Sequence, residues 1–400
     1  MKILLIADAF PPLNNSAAIQ LQDLSIELAS IGHEILVVVP SSTIASSFQL
    51  SGIGRLEVLR VKAFNVKTRI RFFRALAEAF LPLTFLIGLL SSRRLMTNWE
   101  AVIWYSPTIF LGPLIFLLRK IHRCRTYLIL RDIFPQWAED MGLVKSRVAI
   151  SLLKAVAGLQ YKMADTIGIQ AKSNKKFLEQ HKLGTKRIEL LENWLVESEI
   201  ENYDLPSELE ELPLSDKVIL LYSGNIGVAQ NLDLIVEAAS LLRKDEELYF
   251  IIAGEGSELS HLKNKALSLQ MDNIHFCGEL MPNVVRALTR LSSIGIVSLD
   301  NKHQTHNIPG KFISYLRDNL PVLACVNKEN ELIEIINSKS VGRAGDWTDA
   351  REVADQIIEL KKDVVSDVSI RARCGSLFRH RYNVKNTAKK ISEAISSNNP

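Results

Sequence analysis

The sequence predicts an α/β protein made of two doubly wound domains, each built on a mainly parallel β-sheet. A chain of 400 residues is long enough for two domains of ordinary size. Short apolar runs alternate with amphipathic stretches along most of the chain, as they do in successive β-α-β units. Residues 201–216, rich in Glu, Pro and Leu, break this pattern and are interpreted as a linker between the two domains.

The first domain, residues 1–200, begins with a strand at Lys2–Ala7 and a helix at Ser16–Ser30, which Ser16 is predicted to cap and Gly32 to end. Its further strands are predicted at Glu34–Val39, Glu57–Val61, Ala101–Tyr105, Thr126–Leu130, Thr166–Ile169 and Ile188–Leu191. The second domain, residues 217–381, has strands predicted at Lys217–Tyr222, Leu248–Ala253, Ile274–Cys277, Gly295–Leu299 and Pro321–Val326. Residues 382–397 are predicted to form a last helix that returns to the first domain.

The net charge of +4 hides an uneven distribution, because residues 1–200 carry +9 and the remainder −5. Between Arg55 and Arg131, 14 basic residues face only 3 acidic ones. Such a surface favours an anionic partner: a nucleic acid, a membrane or a phosphorylated substrate. Nucleic acid is the poorest of these, since the region lacks interleaved aromatic platforms or a recognition motif.

The apolar segment Leu76–Leu90 is shorter than the about 20 residues of a spanning helix, so it predicts a helix that lies on a bilayer rather than one that crosses it. A core helix with solvated ends is the alternative. Arginines at both ends of the segment could meet anionic headgroups: Arg69, Arg71, Arg74, Arg93 and Arg94. Four further basic residues add to this patch: Arg119, Lys120, Arg123 and Arg125.

The N-terminal apolar run is interrupted by Asp8 and by Pro11 and Pro12, which favours a buried strand over a signal peptide. The four cysteines lack any metal-ligand or redox spacing. Reduced thiols in a cytoplasmic protein are therefore expected, and a zinc site is not.

Ligands of open parallel sheets bind at the carboxyl ends of the strands, so the loops that follow strands are the candidate sites. In the first domain, Asn14, Asn15 and Ser16 precede a helix N-terminus and could hold a phosphate or hydroxyl groups; a proline-stiffened connection is the alternative. Arg131 and Asp132 follow another strand. Asp132 could orient sugar hydroxyls or act as an acid or base, or it could cap the following helix.

Two glycine-containing loops follow neighbouring strands of the second domain. The first contains Gly224, Asn225, Gly227, Gln230 and Asn231, and the second contains Gly254, Glu255 and Gly256. Glycine lets backbone approach a ligand closely, and helix N-termini attract anions. Neither loop has the three-glycine dinucleotide fingerprint or a Walker lysine. Together they favour a site for a nucleotide or a sugar phosphate over two incidental turns.

Pro309 and Gly310 open a helix whose first turn contains Lys311. A cation at a helix N-terminus is disfavoured by the helix dipole, and an anion bound at the same helix end would remove that conflict. Lys311 is therefore the best single candidate for a contact to a diphosphate; a solvated surface lysine is the alternative.

Several of these segments resemble glycosyltransferase family 4, the retaining sugar-nucleotide transferases of GT-B fold, over nearly the whole chain. The resemblance rests on these segments: Phe10-Pro11-Pro12, Gly32-His33-Glu34, Gly224-Asn225-Ile226-Gly227 and Gly254-Glu255-Gly256. Bacterial O-antigen and capsule enzymes, including N-acetylfucosaminyl transferases, are the most similar branch, with an Asp-X-X-Pro segment like Asp132–Pro135 and a Pro-X-Lys helix start like Pro309–Lys311.

The resemblance implies two Rossmann-like domains facing across a cleft. It also implies that residues 254–256 and 309–311 bind the nucleotide diphosphate, that Asp132 lies near the reacting sugar, and that retention of configuration needs no obligatory metal. The chain departs from the family at its paired glutamates. Ser314 stands at the position of the second glutamate, and His306 lies eight residues earlier. Ribose recognition by that glutamate is therefore not carried over to this chain.

The sequence thus predicts a transferase that moves a sugar, such as N-acetylfucosamine, from a UDP-linked donor to a polyprenyl-diphosphate-linked saccharide. The expected setting is O-antigen or capsule synthesis at the inner face of the cytoplasmic membrane, with a peripherally bound protein. A sugar-nucleotide epimerase of the same fold is one alternative, although it would need no basic apolar surface. A non-catalytic subunit that binds a nucleotide-sugar is the other, and the missing glutamates favour it.

Overall fold

The structure, a computed structural model, describes residues 1–13, 15–64, 71–106, 108–131, 133–136, 139, 144, 146–179, 187–197, 205–300 and 308–397. The side chains of residues 53, 71–74, 176 and 179 are not described. The chain divides into two units. The first consists of Met1–Val196 and Val384–Pro400, and the second of Glu197–Asn383.

The first unit has one eight-stranded sheet, and its strands are β1 (Lys2–Ile6), β2 (Glu34–Ser41), β3 (Phe48–Ile53), β4 (Leu56–Lys62), β5 (Ala101–Ser106), β6 (Arg125–Leu130), β7 (Thr166–Ile169) and β8 (Arg187–Leu190). Their order is β3-β4-β2-β1-β5-β6-β7-β8, and every neighbouring pair is parallel except β3 with β4. The central strands are apolar almost throughout because both faces of the sheet are covered. Strand β3 had not been predicted, because an exposed antiparallel edge strand lacks that continuous apolar run.

The described helices before residue 197 are α1 (Ser16–Ser30), α2 (Arg71–Ser91), α3 (Gly112–His122), α4 (Arg147–Met163) and α5 (Ser173–Glu179), with a 3₁₀ turn at Arg94–Met96. Helices α2, α3 and α4 contribute Phe85, Leu118 and Tyr161 to the core on one face of the sheet. Helix α1 covers the other face. The prediction that Ser16 caps α1 was wrong: the Asn15 side chain accepts the capping hydrogen bond from the Ala18 N–H at 2.9 Å.

Helix α2 presents two apolar faces. Its buried face packs on the sheet through residues such as Leu81 and Phe85, and Gly88 lets it approach β4, since a Cβ there would lie 2.4 Å from Val61 Cγ2. Its other face carries five large apolar side chains that are 41–54% exposed: Leu76, Phe80, Leu83, Ile87 and Leu90. They recur every three or four residues and form one continuous stripe. No helix in the described part of the chain is long and apolar enough to span a bilayer.

The second unit has a six-stranded parallel sheet, whose strands are β9 (Val218–Ser223), β10 (Leu248–Ala253), β11 (Ile274–Gly278), β12 (Ile294–Ser298), β13 (Val322–Cys325) and β14 (Gly342–Gly345). The order is β11-β10-β9-β12-β13-β14. The order reverses direction between β9 and β12, so the loop after β9 and the end of β12 adjoin at the carboxyl edge of the sheet. Strand β14 had not been predicted, because its Gly-rich sequence has no strand pattern.

The described helices of the second unit are α6 (Ser207–Glu210), α7 (Leu232–Leu241), α8 (Leu259–Ser268), α9 (Pro282–Leu291), α10 (Gly310–Arg317), α11 (Glu331–Lys339), α12 (Ala350–Ser366) and α13 (Ile370–Leu377), together with a 3₁₀ turn at Val228–Gln230 and a π-helical turn at Phe378–Tyr382. One core joins Leu220 and Phe250 of the sheet to Ile235 of α7 and Ile357 of α12. Helix α6 lies within the segment interpreted as a linker, and its Leu209 is buried.

The last helix, α14 (Val384–Ser396), belongs to the first unit. Its Val384, Ala388 and Ile391 join the core that also contains Leu24 and Leu28 of α1. The His33 imidazole lies 2.8 Å from the Ser392 hydroxyl, which adds a polar contact to the same packing. Each unit therefore has a parallel sheet with helices on both faces, which confirms the predicted doubly wound α/β class.

Candidate functional site

At the carboxyl edge of the second sheet, the loops after β9 and β10 are hydrogen-bonded to each other and to the ends of the neighbouring strands. The Gly224 N–H donates to the Ala253 carbonyl at 2.9 Å, and the Ile226 N–H donates to the Glu255 carbonyl at 2.8 Å. The Gly254 N–H donates in turn to the Gly278 carbonyl at 2.6 Å. These bonds hold the two predicted glycine loops side by side as one continuous backbone surface.

The two glycines of the second loop are required by this packing. A Cβ on Gly254 would lie 1.8 Å from the Gly224 carbonyl oxygen, and a Cβ on Gly256 would lie 2.0 Å from the Ile226 carbonyl oxygen. Gly254 also has a φ of +142°, which side chains disfavour. Protein backbone fills the space that a side chain would occupy. These glycines thus let two loops of the protein meet, whereas the sequence had suggested close approach to a ligand. The Glu255 side chain is exposed and lies over Gly278.

The first loop is braced by its own polar side chains. Gln230 Oε1 accepts from Asn225 Nδ2 at 2.9 Å and from the Gly227 N–H at 3.1 Å. The Tyr222 hydroxyl donates to the Asn225 carbonyl at 2.6 Å. Gln230 and Asn225, which were predicted to contact a donor, therefore also fix the shape of the loop. Asn231 has a φ of +44° and joins the 3₁₀ turn to α7.

Lys311 crosses from the start of α10 to the first loop. Its Nζ lies 3.8 Å from the centre of the Tyr222 ring, a cation–π distance. A Cβ on Gly224 would lie 3.5 Å from the same atom. Within the described part of the chain, the ammonium makes no ion pair or hydrogen bond. Burial lowers the pKa of Lys311 to about 7. The alternative of a solvated surface lysine does not fit this position.

The N-terminus of α10 lies at the same place and has no side-chain cap. Pro309 is extended, no acidic residue occupies the first turn, and only the Phe312 N–H turns back to the Pro309 carbonyl, at 3.1 Å. The N–H groups of Gly310 and Lys311 have no partner within the helix. Gly310 is exposed, and a Cβ there would meet nothing within 4 Å. This helix end and the Lys311 ammonium together form a site of positive potential.

Tyr315 connects α10 to β9, one helical turn after Lys311. Its hydroxyl donates to the Leu221 carbonyl at 3.1 Å and accepts from the Ser223 N–H at 3.0 Å. Complete burial raises the pKa of Tyr315 to about 12. Neither Tyr315 nor Tyr222 had been predicted to have a role. The only signal for Tyr315 was its spacing of four residues from Lys311 on one helix.

In the first unit, Arg131 follows β6 and donates to Gln20 Oε1 of α1. Gln20 in turn donates from Nε2 to the Trp194 carbonyl at 3.1 Å, and Trp194 Nε1 donates to the Gln20 carbonyl at 2.8 Å. The same edge of the sheet carries Gln170, whose Nε2 donates to Asn193 Oδ1 at 2.7 Å. Gln170 Oε1 is buried without a hydrogen-bond partner in the described part of the chain. Gln20 and Gln170 had not been singled out from the sequence.

Four further residues named from the sequence, and Ser16, are described only in part. Asn15 and Ser16 stand exposed at the start of α1, with Asn15 Oδ1 occupied as the cap. Asn14, Asp132 and His306 lie outside the described residues.

Of the arginines assigned to a membrane surface, Arg69 is outside the described residues, and the side chains of Arg71 and Arg74 are not described. Arg93 is exposed. Arg94 is committed to an ion pair with Glu57, with its Nη2 2.7 Å from Glu57 Oε1, so it is less available to a membrane than the sequence suggested.

No group of three or more His, Cys, Asp or Glu side chains in the described part of the chain could hold a metal ion.

Residues 207–381 match the family model of glycosyl transferases group 1. The chain is similar to the probable glycosyltransferase WbjE of Pseudomonas aeruginosa, with 23% identity over 276 residues, which cover 67% of each chain. It is also similar to the putative colanic acid biosynthesis glycosyl transferase WcaI of Escherichia coli K12, with 27% identity over 227 residues, which cover 54% of this chain and 55% of WcaI. HepE from Anabaena, solved in complex with UDP, superposes with a TM-score of 0.67 and 13% identity over 99% of this chain and 100% of HepE.

The two units have the GT-B fold, as the structural match shows. Residues 207–381 are thus similar to the group 1 glycosyl transferases, and the two curated relatives carry glycosyltransferase names. The family match covers most of the second unit, which contains the glycine loops and Lys311.

Proposed function

We propose that this chain is a group 1 glycosyltransferase that binds a nucleotide-diphosphate sugar at the carboxyl edge of its second sheet. One observation carries the proposal. The Lys311 ammonium, without an ionic partner among the described residues, lies over the Tyr222 ring at the uncapped N-terminus of α10. A cation and helix-end amides that no described side chain caps suit an anion with several oxygens, such as a diphosphate.

The same arrangement suits the chemistry of transfer. When the bond between the sugar and the diphosphate breaks, negative charge grows on the departing phosphate oxygen. A preorganised cation in a poorly solvated position stabilises that charge more than water does. The Tyr315 hydroxyl bonds and the Gln230 bonds hold α10 and the loop after β9 in position, so the protein needs little rearrangement as the charge develops. Lys311 would thus act on the leaving group, and no metal ion is required for this role.

The donor is proposed to be a UDP-linked sugar of the hexosyl or N-acetylhexosaminyl type, N-acetylfucosamine among them, transferred with retention of configuration. The UDP complex of HepE supports the nucleotide. The acceptor is proposed to be a polyprenyl-diphosphate-linked saccharide in O-antigen or capsule synthesis. The name of WcaI, a putative colanic acid biosynthesis enzyme, supports the polysaccharide setting. Asn14, Asn15, Ser16 and Arg131 remain the candidate acceptor residues, and Asp132 remains a candidate catalytic residue.

The protein is proposed to work at the inner face of the cytoplasmic membrane as a peripheral protein. The apolar stripe of α2, from Leu76 to Leu90, supports this location because five large apolar side chains stand exposed on one helix face. Aligned exposure of this kind is typical of helices that lie in a bilayer interface. Exposed Arg93 lies just beyond the C-terminal end of that helix.

A donor panel tests the proposal. The purified chain would be incubated with UDP-, GDP- and dTDP-sugars and a bacterial membrane lipid extract, and products would be separated by mass spectrometry. We expect one UDP-sugar to yield a glycosylated lipid. Conversion of the donor into an isomeric sugar nucleotide would instead identify an epimerase. Tight binding of a donor without any turnover would identify a non-catalytic binding subunit. Either result would overturn the proposed activity.

Binding of UDP is expected to depend on pH through Lys311. The pKa of this lysine is about 7 without a ligand, because burial disfavours its charge. A bound diphosphate favours the charged form and raises the pKa, so binding above pH 7 requires uptake of a proton. The affinity should be greatest below pH 7 and fall by up to about tenfold per pH unit above it.

Isothermal titration calorimetry in two buffers with different ionisation enthalpies would measure both the affinity and the proton uptake. Lys311→Met serves as the control, because it removes the titrating group and should abolish the slope above pH 7. An equal slope in the variant would show that another group takes up the proton.

A further inference from the structure

A basic cavity of about 510 Å³ lies at the amino edge of the first sheet. Arg119, Lys120 and Arg123 reach it from the end of α3 and the turn after it, and Arg125 from the first residue of β6. Phe116 and Met163 provide apolar wall. Because β6 begins at the cavity and Arg131 follows the end of β6, the cavity lies at the opposite edge of the sheet from the candidate acceptor residues.

The one carboxylate on the cavity wall is already neutralised. Asp165 pairs with Arg119 at 2.7 Å, and its other oxygen accepts from the Thr126 N–H at 3.0 Å and from the Thr126 hydroxyl at 2.9 Å. Lys120, Arg123 and Arg125 form no ion pair with any described residue. Three cations without a counter-charge converge on the cavity, which therefore suits an anion.

The size and the wall of the cavity narrow the class of anion. Pockets of about 300–1,000 Å³ hold whole small molecules, so this one exceeds what inorganic phosphate would fill. Phe116 is 49% exposed and lies on the same helix as Ile121, which is equally exposed. A phospholipid matches this combination of basic and apolar wall, because its phosphate headgroup adjoins the apolar start of its acyl chains.

A lipid in this cavity would be distinct from the saccharide acceptor. Strand β6 has six residues, which span about 20 Å at about 3.3 Å per residue. A headgroup at the amino edge is therefore separated by the full length of β6 from the carboxyl edge, where the acceptor is expected to react. The cavity would hold a bilayer lipid that keeps the protein on the membrane.

We propose that the cavity formed by Lys120, Arg123, Arg125 and Phe116 binds the phosphate headgroup of an anionic membrane lipid. This inference rests on the proposed peripheral location and gives it a chemical basis: one bound headgroup between β6 and α3, the helix that neighbours α2. Helices α2 and α3 pack against each other in the same core, through residues such as Phe85 and Leu118.

Calorimetric titration of the full chain with monomeric dihexanoyl phosphatidylglycerol tests the site. Dihexanoyl phosphatidylcholine and inorganic phosphate are the comparison titrants. We expect phosphatidylglycerol to bind at one site and at least about tenfold more tightly than either comparison titrant. The variant Lys120→Gln/Arg123→Gln should lose about tenfold or more of this affinity. The control pair Arg147→Gln/Lys172→Gln removes two exposed charges of the same unit and should change it by less than about twofold.

Each outcome decides the inference. Equal affinity for inorganic phosphate would show a site for free phosphate and overturn the lipid assignment. Absence of binding, or equal losses in the cavity and control pairs, would overturn the site itself. Sedimentation with phosphatidylglycerol vesicles separates this result from the proposed location. A chain that binds the vesicles equally well with and without the cavity charges is peripheral but lacks the site. A chain that binds the short-chain lipid but no vesicles has the site without the location.

Discussion

Replacement of Lys311 by alanine is expected to lower kcat/KM for sugar transfer by about 10²- to 10³-fold, the usual effect of removing one group that stabilises charge on a departing oxygen. The ammonium is placed over Tyr222, 3.8 Å from the ring centre, where none of the described residues neutralises it. Its loss removes the cation that the leaving diphosphate would meet. Most of the effect should fall on kcat, because charge on the leaving oxygen is larger in the transition state than in the bound donor.

Single-turnover kinetics with the donor found in the panel, together with calorimetric binding of UDP, would separate the two contributions. Lys339→Ala is the matched control, since it removes an exposed lysine from α11 in the same unit. Lys311→Arg should recover part of the activity, because it keeps the charge but not the compact ammonium. Wild-type kinetics in Lys311→Ala would remove this residue from the site and with it the main support for the proposed reaction.

Replacement of Gly254 by alanine is expected to destabilise the second unit by about 3–5 kcal/mol. The added Cβ would lie 1.8 Å from the Gly224 carbonyl oxygen, and the backbone on both sides is held by hydrogen bonds. The φ of +142° adds further strain. The two loops must therefore separate, and UDP binding should be lost together with stability. Thermal unfolding followed by calorimetry should show the transition of this unit lowered by about 10 °C or more.

Gly310→Ala provides the matched control for stability. It adds the same methyl group at the same edge of the same sheet, yet that methyl would meet nothing within 4 Å. Its effect on unfolding should stay within about 1 kcal/mol. If Gly254→Ala unfolds like the wild type, the loops are free to move apart and the packing role of these glycines is wrong.

Local pattern predicted the strands of both sheets well where they are buried on both faces. Strand β7 at Thr166–Ile169 and strand β10 at Leu248–Ala253 have the predicted bounds, because a continuous apolar run has few other solutions in a parallel sheet. The edge strands β3 and β14 were missed because they lack such a continuous apolar run. An edge strand is held by pairing to one neighbour, and neither the exposed residues of β3 nor the glycines of β14 show that pairing locally.

The candidate site was predicted as a set of loops but not as a set of contacts. Gly254 and Gly256 were correctly singled out as unusual, yet the object that approaches them is the loop after β9. Asn15 and Ser16 adjoin each other in the sequence, and which of them caps α1 is decided by backbone angles rather than residue type. Both serine and asparagine are good caps, so composition alone does not separate them.

The sequence by itself determined the doubly wound class, the order of most elements and the basic character of the first half. It also singled out Lys311 as the candidate for a diphosphate contact. These are properties of short windows: apolar period, composition and a misplaced charge. Only the tertiary structure decided that Lys311 lies over Tyr222 and that Tyr315 ties α10 to β9. It also decided that three cations, which pair with no acidic group among the described residues, line one cavity between α3 and β6. The reason is physical. Strand β9 pairs with β12, so a helix about 90 residues further along the chain begins beside the loop after β9. A short window of sequence does not show which distant segment becomes its neighbour in the fold.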